Sequence, residues 1–418
     1  MIRGVYTVLL YLSLPLVLLR LFWRSLKAPG YRRRWRERLG IFAAPSGWGG
    51  LWIHAVSVGE VQAVVPLIHE LARRDPRLPI TVTTTTPTGS ARVREQLGDQ
   101  VFHVYFPYDL PLPLTGFIRR VRPRMLLMVE TEIWPNLLHL CRRVGIYTLL
   151  ANARLSETSA RRYARVAGFT RDTFAQIDCV AAQSDADAAR FCALGLPAER
   201  VRVTGSIKFD LRIPASLEEQ VEVLRRDWGG RPVWVAGSTH EGEDELVLFA
   251  HRRVLARFPE ALLILVPRHP ERFERVAALV RREQLRLARR SGPEEYSAQA
   301  QVYLGDTMGE LPILLGSADV AFIGGSLVET GGHNMLEAAA RGVPTCFGPH
   351  VFNFAAVSQI LIEAGAAVQV ADASALADQV VAWLEDASRR AEVGEEGRRV
   401  VGRNRGALER LMALIPPM

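Results

Sequence analysis

Residues 319–344 read Asp-Val-Ala-Phe-Ile-Gly-Gly-Ser-Leu-Val-Glu-Thr-Gly-Gly-His-Asn-Met-Leu-Glu-Ala-Ala-Ala-Arg-Gly-Val-Pro. An apolar run, Asp319 to Ile323, stops at Gly324 and Gly325. A second pair, Gly331 and Gly332, then opens a helix-like segment beginning near Asn334. Glycines at both points let the backbone approach a ligand closely and leave amides free to face it. A helix start adds unpaired N–H donors and partial positive charge, a seat for a phosphate. Glu337, about one turn inside, puts a carboxylate where ribose hydroxyls can donate to it. Taken alone, the pattern equally suits a strand, turn and helix whose glycines only relieve turn strain.

Outward from this stretch, short β-rich runs alternate with amphipathic helical stretches. In the first half the predicted strands are Leu51–Ala55, Ile80–Thr84, Phe102–Phe106, Met125–Glu130, Tyr147–Ala151, Cys179–Ala182 and Val201–Thr204. In the second they are Val233–Gly237, Ala261–Pro267, Gln301–Tyr303, Val320–Ile323 and Val343–Phe347, and everything after Ala373 reads as helix. Such alternation implies parallel sheets covered by helices on both faces. The polar stretch Asp210–Ser216, with Pro214, breaks the rhythm and marks a hinge. The expected architecture is therefore α/β: two doubly wound, Rossmann-like domains facing a cleft, with ligands at the strand C-termini. The polar or glycine-rich loops fall at those ends: Ser57-Val-Gly59-Glu60, Glu130-Thr-Glu132, Gly205-Ser-Ile-Lys208, Gly237-Ser238-Thr239-His240, Pro267-Arg268-His269-Pro270 and the Gly324-Gly325-Ser326 element.

A chain of 418 residues suits two domains of about 200 residues each. Hydrophobic content of 49% with 23% charged residues is that of a globular protein and argues against disorder. A net charge of +8 favours anionic partners: phosphorylated substrates, nucleic acid or an acidic membrane face. Only Lys27 and Lys208 are lysines among 52 basic residues, which makes Lys208 noticeable at its strand-end position. Cys141, Cys179, Cys192 and Cys346 form no Cys-x-x-Cys pair and read as reduced core thiols. Asp185-Ala-Asp187 imitates a metal-binding Asp-x-Asp, but Ser184 before it reads as a helix cap followed by first-turn acids.

From Val5 to Trp23 only Thr7, Ser13, Pro15 and Arg20 interrupt the apolar residues. Nineteen helical positions cover about 28 Å, close to the roughly 30 Å bilayer core. Arg24, Lys27, Arg32, Arg33, Arg34, Arg36 and Arg38 follow, and a basic block there holds the next domain in the cytoplasm. Residues 1–40 are thus expected to form a membrane anchor with a basic juxtamembrane segment. Arg20 and Pro15 leave a second option, a helix lying in the interface on anionic lipid.

Together, Ser57-Val-Gly-Glu60, Glu130-Thr-Glu-Ile-Trp-Pro-Asn136, Gly205-Ser-Ile-Lys-Phe-Asp210, Pro267-Arg-His-Pro270, Asp306-Thr-Met-Gly-Glu-Leu311, Gly324-Gly-Ser…Gly-Gly-His-Asn334 and Gly348-Pro-His…Asn353-Phe354 resemble the bacterial 3-deoxy-D-manno-octulosonic acid (Kdo) transferases of lipopolysaccharide assembly. The resemblance runs from the anchor to the last helices. It implies a GT-B fold, with residues 41–210 as acceptor-binding domain and 211–418 as donor-binding domain. It further implies inverting transfer from CMP-Kdo to lipid IVA, the lipid A precursor, without a metal or other cofactor, on the cytoplasmic side of the inner membrane. Glu60 takes the place of the general base, which burial would push toward working pH. Glu130 and Lys208 match positions that support the transition state. Arg268, His269, Gly309, Glu310, Leu311, Asn334, Met335, Leu336 and Glu337 match the CMP site. Ser57, Gly59, Ser238, Thr239, Gly324, Gly325, Ser326, Gly331 and Gly332 are further candidates. Met335 and Ala338 stand where relatives often carry proline, so the donor loop is expected to be more mobile here. The basic residues Arg32–Arg38 are candidates for guiding the acceptor's phosphates.

Two other readings compete. Another GT-B enzyme, a UDP-sugar transferase or an epimerase, would share the loops but not the pairing of the anchor with Glu60. A membrane-tethered nucleic-acid-binding protein would suit the charge, but the arginines are dispersed and no aromatic-interleaved basic motif occurs, so no nucleic-acid partner is expected.

Overall fold

Seven apolar runs become the strands of a first sheet: β1 (Leu51–His54), β2 (Ile80–Thr84), β3 (Phe102–Tyr105), β4 (Met125–Val129), β5 (Tyr147–Ala153), β6 (Cys179–Ala182) and β7 (Val201–Val203). In this computed structural model, which describes residues 2–27, 29–47, 49–211, 216–292 and 299–417, they pair in parallel in the order β3-β2-β1-β4-β5-β6-β7. Successive side chains of a strand point to opposite faces. Leu51 and Ile53 therefore join one core with Val64 and Leu67, while Trp52 joins another with Phe117 and Leu126. Burial on both faces explains why β1 and β4 are continuous apolar runs rather than alternating ones.

The second sheet is built the same way from β8 (Val233–Thr239), β9 (Leu262–Pro267), β10 (Leu287–Arg289), β11 (Val302–Leu304), β12 (Val320–Ile323), β13 (Thr345–Phe347) and β14 (Ala367–Gln369). Its order is β10-β11-β9-β8-β12-β13-β14, again parallel. In each sheet the chain works outward from one strand and then crosses to that strand's other side. The crossings lie at β1/β4 and at β8/β12, and crevices at the carboxyl ends of such strands are where open α/β sheets hold ligands.

The chain divides into two units, Met1–Asp210 with Gly406–Met418, and Leu211–Arg405. This corrects the assignment of all of 211–418 to one domain. The last residues return to the first unit because Asp210 accepts from the backbone amides of Gly406, at 2.6 Å, and Leu408. Arg410 Nε also donates to the Thr204 carbonyl at 2.8 Å, and Leu408, Leu411 and Met412 enter the first core. Of the expected hinge, residues 212–215 lie outside the described residues.

The N-terminal helix runs Ile2–Lys27 and belongs to the first unit rather than to a separate segment. It is long and apolar enough to cross a membrane. The basic block after it is only partly free. Arg34 pairs with Glu37 at 2.6 Å and donates to the His103 carbonyl at 2.8 Å. Arg38 is buried, donates to the Thr85 carbonyl at 2.7 Å and lies over the Tyr105 ring. Arg32, Arg33 and Arg36 stay exposed. All four cysteines are free thiols, and Ser184 caps Asp185–Ala193 by accepting from the Asp187 amide.

Candidate active site

At the end of β1, Ser57 caps helix Val58–Arg74, its Oγ accepting from the Glu60 amide at 3.3 Å. The same hydroxyl donates to Glu60 Oε1 at 2.8 Å, and the Val56 amide donates to Oε2 at 2.7 Å, an arrangement close to a capping box. The cap and the candidate base are thus bonded to each other. Burial pushes the Glu60 carboxyl up to about 7 against those hydrogen bonds, with the nearby Glu130 charge adding to the rise. Beside Gly59 there is open space, since a Cβ there would meet only Ser57 Oγ at 3.9 Å.

β4 ends in two more carboxylates. Glu130 adopts φ 61°, a left-handed conformation costly for a residue with a Cβ, and its side chain pairs with Lys208 Nζ at 2.8 Å. Strain of this kind persists where the surroundings over-determine it, commonly at functional sites. Lys208 sits in the turn Ile207–Phe209, which is held by Asn152 Oδ1 accepting from the Ile207 amide at 3.2 Å. Glu132 accepts from Trp134 Nε1 at 2.9 Å, and burial together with the Glu60 charge pushes it up to about 7. His54 Nε2 lies 3.8 Å from Glu132 Oε2. That ring is fully buried, stacked on Phe106 and pushed down to about 3, hence neutral. The first unit therefore brings Glu60, Glu130 and Lys208 together. It adds Glu132 and His54, which sequence reasoning did not single out: in the sequence one is a motif neighbour and the other an ordinary strand residue.

In the second unit the glycine-rich loop after β12 is organised by a carboxylate that sequence reasoning missed. Glu243 is fully buried and accepts from the amides of Gly325 (2.6 Å), Ser326 (3.0 Å), Leu327 (2.9 Å) and His240 (3.1 Å). Gly324 is required by contact: a Cβ there would lie 2.7 Å from the Ser238 carbonyl and 2.8 Å from Glu243 Oε2. Ser326 Oγ donates to the Ile323 carbonyl and accepts from the Gly348 amide at 2.8 Å. Gly331 at φ 97° lies against Phe352 and Asn353, and the Gly332 amide donates to the Gly325 carbonyl at 2.7 Å. Ser238, at φ 61°, and Thr239 end β8. Thr239 is fully committed within the fold, its hydroxyl donating to Asp244 and its carbonyl accepting from the Arg268 amide and from Arg272.

Imidazole rings and the Arg268 guanidinium converge on that loop. The His240 and His333 rings stack at 5.0 Å with their Nε2 atoms 2.7 Å apart, so one donates and the other accepts. His269 packs edge-on against His240. Burial chiefly, with the neighbouring histidines and Arg268, pushes His240 down to about 4 and His333 down to about 3. Arg268 is half-buried, and among the described residues it forms no ion pair. An anion would meet that unneutralised charge.

Asn334 Oδ1 accepts from the Leu336 amide at 3.1 Å and its Nδ2 donates to Glu337 Oε1 at 3.1 Å. Burial raises the Glu337 carboxyl above the usual range. The helix itself is short, Leu336–Ala340, and starts two residues later than expected. Met335 and Leu336 have fully buried side chains, so only their backbone is available to a nucleotide. Glu310 is paired with Arg290 at 2.8 Å and bonded to Thr307, which holds its carboxyl below the usual range. Gly309 (φ 85°) precedes it with open space around its Cβ position, and Leu311 packs on Gly237. Among the described residues no group of three or more His, Cys, Asp or Glu is placed to hold a metal ion.

Two doubly wound parallel sheets, one ending in a carboxylate cluster and the other in a glycine loop flanked by Arg268 and histidine rings, have the architecture of the GT-B class. Fold likeness agrees: UDP-GlcNAc 2-epimerase from Neisseria meningitidis, bound to UDP-GlcNAc, superposes with a TM-score of 0.56 at 13% identity, covering 87% of this chain and 98% of that one. Residues 33–211 match the family described as 3-Deoxy-D-manno-octulosonic-acid transferase (kdotransferase), and residues 232–400 match Glycosyl transferases group 1. The 3-deoxy-D-manno-octulosonic acid transferase of Haemophilus influenzae is 44% identical over 99% of this chain and 98% of its own length. That of Bordetella pertussis is 38% identical over 98% of each. The chain belongs to the 3-deoxy-D-manno-octulosonic acid transferase family.

Proposed function

We propose that this protein moves Kdo from CMP-Kdo to lipid IVA with inversion, with Glu60 as the base. The observation that carries the assignment of the base is a buried carboxylate at the β1 crossing whose proton affinity matches neutral pH. In this reading Glu60 removes the proton from the acceptor hydroxyl as that oxygen attacks the anomeric carbon, and the bond to the CMP phosphate breaks. Negative charge then grows on the phosphate, where Arg268 and the amides beside the glycine loop oppose it; a fixed donor of this kind is worth about 3–4 kcal/mol. His269, Asn334 and Glu337 are assigned to the nucleotide, Glu337 accepting from ribose hydroxyls. Glu310 is assigned to positioning through Arg290, while Gly309, Leu311, Met335 and Leu336 offer backbone.

The apolar helix and exposed arginines support a place on the cytoplasmic face of the inner membrane, where a greasy, phosphorylated acceptor is found. The test is incubation of the full chain with CMP-Kdo and lipid IVA in the presence of a chelator, reading product mass. Kdo-modified lipid is expected. Turnover of UDP-sugars instead, or loss of activity that a divalent ion restores, would overturn the donor or the metal-free chemistry respectively.

Lys208 is assigned to the donor's carboxylate or leaving phosphate, since an ammonium is a compact point charge. Lys208→Met is expected to lower transfer by about 10²-fold, the scale for removing one preorganised donor. It also leaves the Glu130 charge unpaired near Glu60, so the rising limb of the pH–rate profile moves to higher pH. A slower enzyme with an unmoved limb would separate Lys208 from the carboxylate cluster.

A further inference from the structure

We infer that the N-terminal helix lies along the first unit, parallel to the membrane, and does not cross the bilayer; its outer face is a docking surface for anionic lipid. The inference rests on the membrane reading above and specifies its geometry. The helix has two faces. Its half-buried side chains are Arg3, Tyr6, Thr7, Leu10, Ser13, Leu14, Leu18 and Leu21, with Ser25 fully buried, a stripe at three- and four-residue spacing that runs its whole length. Large apolar residues, among them Leu9, Leu12, Leu16, Leu19, Trp23 and Leu26, are more than half exposed on the other side.

The first two turns are tied to the folded domain. Tyr6 Oη donates to Asp109 Oδ2 at 2.9 Å, and Asn136 Oδ1 accepts from both Arg3 Nη1 (3.0 Å) and Thr7 Oγ1 (2.9 Å). The Tyr6 ring also packs on Phe169 at 5.5 Å. The receiving side is rigid: Asp109 accepts from the amides of Asn136 and Leu137, and Asn136 Nδ2 donates back to the Asp109 carbonyl at 2.8 Å. Both residues are buried. At the other end the chain enters the same unit through Arg34 and Arg38.

Length makes these ties incompatible with a span. Twenty-six helical residues extend about 39 Å, more than the roughly 30 Å hydrocarbon core. If the helix crossed with the domain on the cytoplasmic side, Arg3, Tyr6 and Thr7 would emerge on the far side, out of reach of Asp109 and Asn136. An in-plane helix keeps every one of those bonds and turns its apolar face to the acyl chains. Arg20, Arg24, Arg32, Arg33 and Arg36 are exposed near it, and their charge selects an anionic lipid surface over an apolar protein partner. Asn136 closes the motif Glu130-Thr-Glu-Ile-Trp-Pro-Asn136, so this clamp ties the lipid-facing helix to the loop that carries Glu130 and Glu132.

The test is the side of the membrane on which the N-terminus lies. A hydrophilic epitope tag ahead of Met1 of the full chain is exposed to protease in inside-out inner-membrane vesicles and in spheroplasts. Cleavage in the vesicles and protection in spheroplasts is expected; the reverse pattern overturns the in-plane placement while leaving membrane attachment intact. In parallel, Leu12→Glu with Leu16→Glu should abolish co-sedimentation with vesicles containing phosphatidylglycerol, while transfer to detergent-dispersed acceptor continues. Undiminished sedimentation of that variant, or self-association of the wild type through this face in place of vesicle binding, overturns the lipid assignment.

Discussion

Glu60→Gln is expected to lower the rate of transfer by about 10²–10⁴-fold, the usual contribution of a positioned general base, while the first unit stays folded. The substitution is close to isosteric. Its carbonyl oxygen can still accept from the Val56 amide and its amino group can face Ser57 Oγ, so the cap of helix Val58–Arg74 survives. Nucleotide binding is expected to be unchanged, because Arg268, His269, Asn334 and Glu337, which are assigned to CMP, lie in the second unit. For the wild type, a base pushed up to about 7 is protonated and idle below that pH, so the rate should climb through neutrality and level off above it.

Stability should move in the opposite direction. Glu60 and Glu132 hold their protons more tightly folded than unfolded. Their contribution is therefore fully present below the ordinary carboxylate range and is lost as pH rises through about 7. Gln at position 60 removes one of those buried charges, so the variant should melt at or above the wild-type temperature at pH 8. A variant that keeps its activity, or one that loses it only by unfolding, would remove Glu60 from the chemistry.

Much of this is legible in the sequence, for a physical reason. Strands buried on both faces must be apolar throughout, which made β1, β4, β8 and β12 stand out, and the polar residues that interrupt them mark the strand ends. What stayed hidden depended on tertiary burial or on partners distant in sequence. β10 and β14 are three-residue strands toward the sheet edges with too little pattern to read. Arg34 and Arg38 look like free charges in a basic run, yet the fold captures their guanidinium groups with carbonyls of residues 85 and 103. The return of Gly406–Met418 to the first unit is a contact across 196 residues of sequence, from Asp210 to Gly406. Glu310 matches a ligand position by its motif, and its pairing with Arg290, twenty residues away, is visible only in the fold.

Glu243 is the most consequential of the hidden residues, and its replacement is the second large effect. In the sequence it is one acid in His240-Glu-Gly-Glu-Asp244, indistinguishable from a solvated turn. In the structure it is the acceptor for four backbone amides. Glu243→Ala strips those amides of their partner, and each unpaired buried donor costs about 1–3 kcal/mol. Even two left dry would consume a large share of the 5–15 kcal/mol typical of a whole domain. The loop is therefore expected to lose its shape and CMP its binding site, with a melting transition well below that of the wild type. Glu243→Gln separates charge from geometry. It keeps one oxygen but turns an amino group toward two N–H donors, so it should fall between wild type and Ala in both melting and CMP affinity. If Ala matched the wild type in both measurements, the carboxylate would not be what shapes the loop, and the glycines at 324 and 325 would have to hold it by backbone conformation alone.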